Sequence, residues 1–252
     1  MTTVMRDHPG WTNVAGTWLR AVSDADQAPE VLDADNVDGP DEFVLPPLTS
    51  AQVPAALERA LRDLGPVRRW RNPSLWDAVA TAIIRQVISA DQARAQHRRL
   101  RQTFGATAQS PHGPVHALPT PQAILKLEVE DLAAIGLAFK APVLLAAADA
   151  YLLHGAKWTA LPAASLFQEL HSVPRIGPWT AGAAVADFTH DWSLYPHGDL
   201  AVRKWARTAA PSTDWPTDEK QFATRWRQIT GAHLAPLTLF TLAWGRHHGG
   251  SP

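Results

Sequence analysis

Asp199 is an isolated carboxylate at the mouth of a helical run, Leu200-Ala201-Val202-Arg203-Lys204-Trp205-Ala206. Upstream of it a Pro/Gly turn, Pro174-Arg175-Ile176-Gly177, runs directly into a helix start, Pro178-Trp179-Thr180-Ala181. A helix start of this kind turns backbone N–H groups toward an anion, and phosphate is the usual guest. A lone carboxylate held near such an anchor suits cleavage of a nucleoside C–N bond. Positive charge builds on the sugar as the base leaves, and a carboxylate stabilises that charge and orients or deprotonates the attacking water. By residue type alone Asp199 reads first as a helix N-cap, since Asp favours that position, and the two roles are compatible.

The elements that must hold these residues are mostly helical. Ser50 and Thr49 are candidate caps for a helix over residues 51–64, and Ser74 opens a longer one over 75–88, with Leu75, Val79, Ala82, Ile83 and Val87 at helical spacing. Further helices are expected over 91–104, 121–127, 130–135, 140–153, 163–171, 178–188, 200–208, 218–228 and 235–244. Residues 105–120 read as a loop. His112 and His116 within it are separated by Gly113 and Pro114, so the pair does not share a helix face and is a poor metal site. Residues 1–50 mix short apolar pieces with an acidic, turn-rich centre, and suggest one or two short strands or irregular structure packed on a helical core from 51 to 252.

The chain has 252 residues, 46% of them apolar, enough for a buried core. It has no cysteine, which excludes disulfides, cysteine-ligated zinc and a four-cysteine iron–sulfur cluster. No apolar run approaches the ~18 residues that span a bilayer. The first ten residues lack the pattern of a signal peptide, so a cytoplasmic setting is expected, nucleoid-associated in a bacterium. The net charge of −1 hides an asymmetry: residues 1–64 hold 4 Lys/Arg and 11 Asp/Glu (−7), and residues 65–252 hold 19 and 13 (+6). A basic body with an acidic appendage suits a nucleic-acid partner, and ordinary surface charge explains the numbers equally well.

The segment Val173-Pro174-Arg175-Ile176-Gly177-Pro178-Trp179-Thr180-Ala181 resembles the hairpin of the helix-hairpin-helix DNA glycosylases, in the branch of 3-methyladenine DNA glycosylase II. The family hairpin reads roughly Leu-Pro-Gly-Ile-Gly-Pro-Trp-Thr-Ala, so Val173 is a conservative change and Arg175 replaces a glycine. Four more runs extend the resemblance from about 72 to 244: LWDAVATAIIRQVIS from Leu75, PTPQAIL and DLAAIGLAFKA between Pro119 and Ala141, and YPHGDLAVRKWA from Tyr195. The missing cysteine cluster points away from the endonuclease III branch.

The resemblance implies a mostly α, helix-hairpin-helix fold. It implies a monofunctional enzyme that removes alkylated bases from double-stranded DNA, acts as a monomer and needs no organic cofactor. The family's essential aspartate falls 20 positions after the residue here occupied by Trp179, the spacing of Asp199, and that context turns the balance from cap to catalysis. Glycosylases that also cut the strand carry a lysine where Trp179 stands, and a tryptophan cannot form a Schiff base. Trp179 and Trp244 are expected to wall the base pocket, with a core role open for each. Val87, or Ile88 as the alternative, is expected to fill the gap left by the flipped base, core packing again being open. Arg175, Ile176, Gly177, Trp179 and Thr180 are the expected phosphate contacts, through backbone N–H groups or the Thr180 hydroxyl. The resemblance also implies a monovalent cation on the hairpin carbonyls and no metal held by side chains. Two other readings remain open: a glycosylase for a different lesion, and a catalytically silent DNA-binding module.

Overall fold

The computed structural model describes residues 2–23, 28–35, 39–48 and 52–249. The expected Thr49-Ser50 cap lies outside them. The elements in chain order are β1 (Thr3–Met5), β2 (Thr12–Val14), β3 (Thr17–Val22), β4 (Glu30–Asp33), β5 (Asp41–Phe43), α1 (Ala55–Arg62), β6 (Val67–Arg69), α2 (Leu75–Ile84) and α3 (Ala90–Phe104). They continue with β7 (Thr107–Ser110), β8 (Gly113–His116), α4 (Pro121–Ile124), α5 (Val129–Ala134), α6 (Ala141–Trp158), α7 (Ala163–Ser172), α8 (Pro178–Thr189), α9 (Leu200–Ala209), α10 (Glu219–Thr230) and α11 (Leu234–His248). The mostly α class read from the sequence is the class observed. None of the described helices is long and apolar enough to cross a membrane.

The chain divides into two compact units. One unit holds residues 1–6, 40–71 and 190–252, and the other holds residues 7–39 and 72–189. The acidic N-terminal segment is therefore shared. Its described residues form five short strands, where one or two are expected from the sequence.

In the first unit, β6 is the centre of a three-stranded sheet. It pairs parallel with β1 (Thr3 opposite Val67) and antiparallel with β5 (Asp41 opposite Arg69). Helix α11 packs on α9, α1 and α10. The Trp226 indole N–H donates to the Thr238 hydroxyl (3.0 Å), which satisfies a buried donor between α10 and α11.

In the second unit every residue of α2 is buried. An all-round apolar helix of this kind must be enclosed, and α2 is packed against α8 and α6. Its cap is Ser74, whose hydroxyl accepts from the Asp77 N–H. The antiparallel sheet β2-β3-β4 lies in the same unit, beside the β7–β8 hairpin. Leu19 and Ala21 of β3 form one apolar cluster with Ala108, Val115 and Ala117.

That hairpin corrects the expectation of a loop over 105–120. Gly113 and Pro114 read as helix breakers, and they are. The same pair is compatible with a short edge hairpin, where Gly113 takes a positive φ of 122° and Pro114 sits opposite Gln109. His112 and His116 are drawn apart by it: the first bonds the Thr17 hydroxyl (3.4 Å) and the second the Thr107 hydroxyl (3.1 Å).

Candidate active site

In the second unit, α7 ends at Ser172 and the chain turns through 173–177 into α8. The turn closes with the Ile176 N–H donating to the Val173 carbonyl (3.0 Å), and α8 starts with the Ala181 N–H on the Gly177 carbonyl (3.0 Å). The Ile176 N–H, expected to face a phosphate, is thus spent on the turn, and its side chain is buried as a plug. A Cβ added at Gly177 would meet no atom within 4 Å, so the glycine leaves its side of the backbone open to an approaching group.

Arg175 is exposed and holds φ at 68°. The hairpin therefore keeps the left-handed path that a glycine would adopt freely, and the arginine bears the strain, about 1–2 kcal/mol for a side chain in that region.

The loop after α2 is fastened to the same helix. The Gln86 side-chain amide donates to the Thr180 hydroxyl (2.7 Å), and Thr180 is only 2% exposed. That bond uses the hydroxyl oxygen as acceptor and leaves its O–H to donate, so the expected phosphate contact through Thr180 stays an expectation. The Arg85 guanidinium lies over the Trp179 ring, 6.0 Å from its centre. Helix α2 ends at Ile84, four residues earlier than its periodicity predicts, because Val87 takes φ 57° and cannot continue a right-handed helix. Val87 is 93% exposed, whereas Ile88 is half-buried, which separates the two wedge candidates.

Phe139, 79% exposed, is a second bare apolar side chain near this loop: the ammonium of the next residue, Lys140, donates to the Gln86 carbonyl. Sequence reasoning passed over Phe139, although an aromatic between Gly136 and a helix start was a visible signal.

In the first unit, Asp199 is the N-cap of α9. Its Oδ2 accepts the Ala201 N–H (3.2 Å) and the Tyr195 phenol O–H (3.3 Å), which fixes the carboxylate at the end of a helix whose dipole favours negative charge. The turn before it is tight. The Asp199 N–H donates to the Pro196 carbonyl (2.8 Å), and a Cβ at Gly198 would come within 3.2 Å of the Ala223 methyl. The His197 ring bonds the Tyr195 backbone; burial, and after it the Arg227 charge, lowers its imidazole below the ordinary value. Tyr195 and His197 are contributions that the sequence reading did not single out.

Trp244 is half-buried on α11, stacked on His248 (4.4 Å between ring centres) and edge-on to Trp205 (6.5 Å). Trp205 lies flat against Gly245, where a Cβ would fall 2.1 Å from the indole.

One cluster in the second unit has the makings of a metal site. His8, Asp77 and His97 are buried with ligand atoms within 4.8 Å of one another. Its hydrogen bonds fit a polar network better. The Gly10 N–H donates to His8 Nδ1 (3.0 Å), which leaves the ring proton on Nε2, the nitrogen that faces Asp77 (3.4 Å). Asp77 is taken on Oδ2 by Arg20 (2.7 Å) and on Oδ1 by the Thr81 hydroxyl (3.0 Å). A divalent ion would displace that proton and lie against the Arg20 guanidinium.

Burial alone would raise the Asp77 carboxyl, and the Arg20 charge and His8 outweigh it, so it lies well below the usual range. Burial pushes the His97 imidazole down to about 4. A histidine that is neutral when folded and ordinary when unfolded takes up protons preferentially in the unfolded chain. Stability is therefore full above about pH 6.5 and falls as the pH drops toward 4, by up to about 3 kcal/mol from this group. Urea unfolding at pH 7, 5.5 and 4.5 measures this loss, and His97→Asn should flatten it. A flat profile in the native protein would contradict the assignment.

No family model matches the chain, and no curated protein matches it by sequence. Solved structures do match. The 3-methyladenine DNA glycosylase of Archaeoglobus fulgidus superimposes with a TM-score of 0.70 at 19% identity, over 96% of this chain and 91% of that one. The Clostridium acetobutylicum 8-oxoguanine glycosylase/lyase in complex with double-stranded DNA gives 0.64 at 15% identity, over 77% of this chain and 67% of that one. The Schizosaccharomyces pombe 3-methyladenine DNA glycosylase in complex with abasic DNA gives 0.59 at 19% identity, over 77% and 93%. With the hairpin at 173–177 and the capped aspartate at 199 already in place, the protein has the fold of the helix-hairpin-helix DNA glycosylases.

Proposed function

We propose that the protein is a monofunctional DNA glycosylase that hydrolyses the N-glycosidic bond of alkylated purines in double-stranded DNA and leaves an abasic site. The observation that carries the reading is Asp199, a carboxylate fixed by the Ala201 N–H and the Tyr195 phenol at the spacing from the hairpin that the sequence motif demands.

The chemistry follows from the residues. Phosphates of the damaged strand are held by the hairpin, through Arg175 and the open backbone at Gly177, Trp179 and Thr180. Val87 enters the base stack as the damaged nucleotide turns out, and Phe139 lies along the duplex beside it. The everted base is held by aromatic faces, Trp179 and Trp244 being the candidates. Such faces attract an electron-poor, cationic ring by stacking and cation–π contact. As the C1′–N bond breaks, its electron pair goes to the base. That pair neutralises the positive charge of an N-alkylated purine, so no acid is needed for the leaving group. Asp199 offsets the charge that appears on the sugar, and water adds at C1′ and gives up its proton to the carboxylate or to solvent. The Asn72 to Trp244 portion lies within the basic part of the chain, which suits a phosphate-rich partner.

The test is a comparison of single-turnover release of 3-methyladenine, 7-methylguanine, uracil and 8-oxoguanine from matched duplexes, with the freed bases identified by chromatography. Both methylated purines should be released faster than either neutral base. Faster release of uracil or 8-oxoguanine than of both methylated bases would transfer the reading to another lesion, and release of none would leave a DNA-binding protein. Trp244→Ala should lower release of the methylated bases more than it lowers binding to undamaged DNA.

A further inference from the structure

We infer that Gln86 and Lys140 form a brace that holds Val87 in its protruding conformation and ties it to the hairpin helix. The inference rests on the reading of Val87 as the side chain that enters the base stack, and it concerns what keeps it there.

Val87 is in an unfavourable state twice over. A β-branched residue at φ 57° is a genuine backbone outlier, and an isolated chain would relax it toward the right-handed region. An apolar side chain 93% exposed gains nothing from the rest of the unit in return. Strain of this kind persists only where the surroundings over-determine it, and it gathers at functional sites.

The surroundings here are specific. The Gln86 carbonyl, at the peptide joining Gln86 to Val87, receives the Lys140 ammonium. Lys140 is 3% exposed, and burial lowers its pKa from the ordinary lysine value. Burying an ammonium is costly unless its donors are used, and a carbonyl facing it is held firmly. At its other end Gln86 reaches α8, its amide donating to the Thr180 hydroxyl one turn beyond the hairpin (2.7 Å). The residue before it, Arg85, lies over Trp179 of the same helix. One residue therefore links the N-terminus of α6, the loop that carries Val87 and the helix that follows the phosphate-binding turn.

The functional consequence is mechanical. When the hairpin seats a phosphate, the depth at which Val87 meets the stack is already set, because the loop cannot shift independently of α8. Without the brace the loop would relax and Val87 would withdraw. Lesion extrusion would suffer, and the chemistry on an already extruded base would not.

Lys140→Met and Gln86→Leu in the full-length protein test this. Single-turnover release of 7-methylguanine is measured from a duplex where it pairs with cytosine, and from the same duplex with a mismatched partner that lowers the unpairing cost. Each variant should lose about tenfold on the paired lesion and recover to within about threefold of the native protein on the mismatched one, since extrusion is the step relieved by mispairing. Thermal melting of each variant runs in parallel. Equal losses on both substrates would mark the pair as merely structural and overturn the inference, as would no loss on either. Val87→Ala separates this from the parent reading. If Val87→Ala loses nothing, the insertion reading fails and the brace with it. If Val87→Ala loses paired-lesion activity while both brace variants keep it, the brace alone fails.

Discussion

Asp199→Asn should abolish base release and leave the fold and DNA binding largely intact. Loss of one electrostatic group that acts on developing charge costs on the order of 10²–10³ in rate or more. The substitution is well suited to the question because asparagine caps helices as well as aspartate does. Its amide oxygen can still accept the Ala201 N–H, so α9 keeps its start. What disappears is the negative charge. The measurement is single-turnover release from a methylated duplex beside a titration of binding to the same duplex and a thermal melt. Release near the native rate would remove Asp199 from the catalytic role and leave it as a cap only. A parallel collapse of the melting temperature would show that the capping and the charge are not separable here.

The second large expectation is all-or-none: the product strand should remain intact. A lyase needs an amine to attack C1′ and form a Schiff base, and the sequence resemblance puts Trp179 where bifunctional glycosylases carry that lysine. An indole nitrogen has no available lone pair for that attack. Incubation with damaged duplex should yield abasic sites that break only after alkali, and borohydride should trap no enzyme–DNA adduct. The expectation has force because the fold is shared with the Clostridium acetobutylicum glycosylase/lyase, so the architecture by itself decides neither outcome. A trapped adduct in the native protein would mean that another amine reaches the sugar, and the hydrolytic reading would fall.

Much of this protein is legible in its sequence because the signals involved are local. Helix periodicity, the Ser74 and Asp199 caps, and the Pro/Gly turn into α8 depend on residues within a few positions of one another, and α2, α8 and α9 start where those signals put them. The spacing of Asp199 from Trp179 is likewise a property of the chain alone.

What only the tertiary structure decides involves partners far apart. The loop read over 105–120 becomes a hairpin because β3 offers it an apolar face some ninety residues upstream. The buried network of His8, Asp77, His97 and Arg20 joins β3, the first turn of α2 and α3, and no short-range rule links those positions. The choice of Val87 over Ile88 as the exposed residue follows from a backbone angle that Lys140 and Thr180 help to impose. The Thr180 hydroxyl likewise takes a partner from far along the chain, accepting from the Gln86 amide, because an unpaired buried polar group is too costly to leave. Sequence specifies which groups are present and which segments coil. Long-range packing decides which of those groups remain available for DNA.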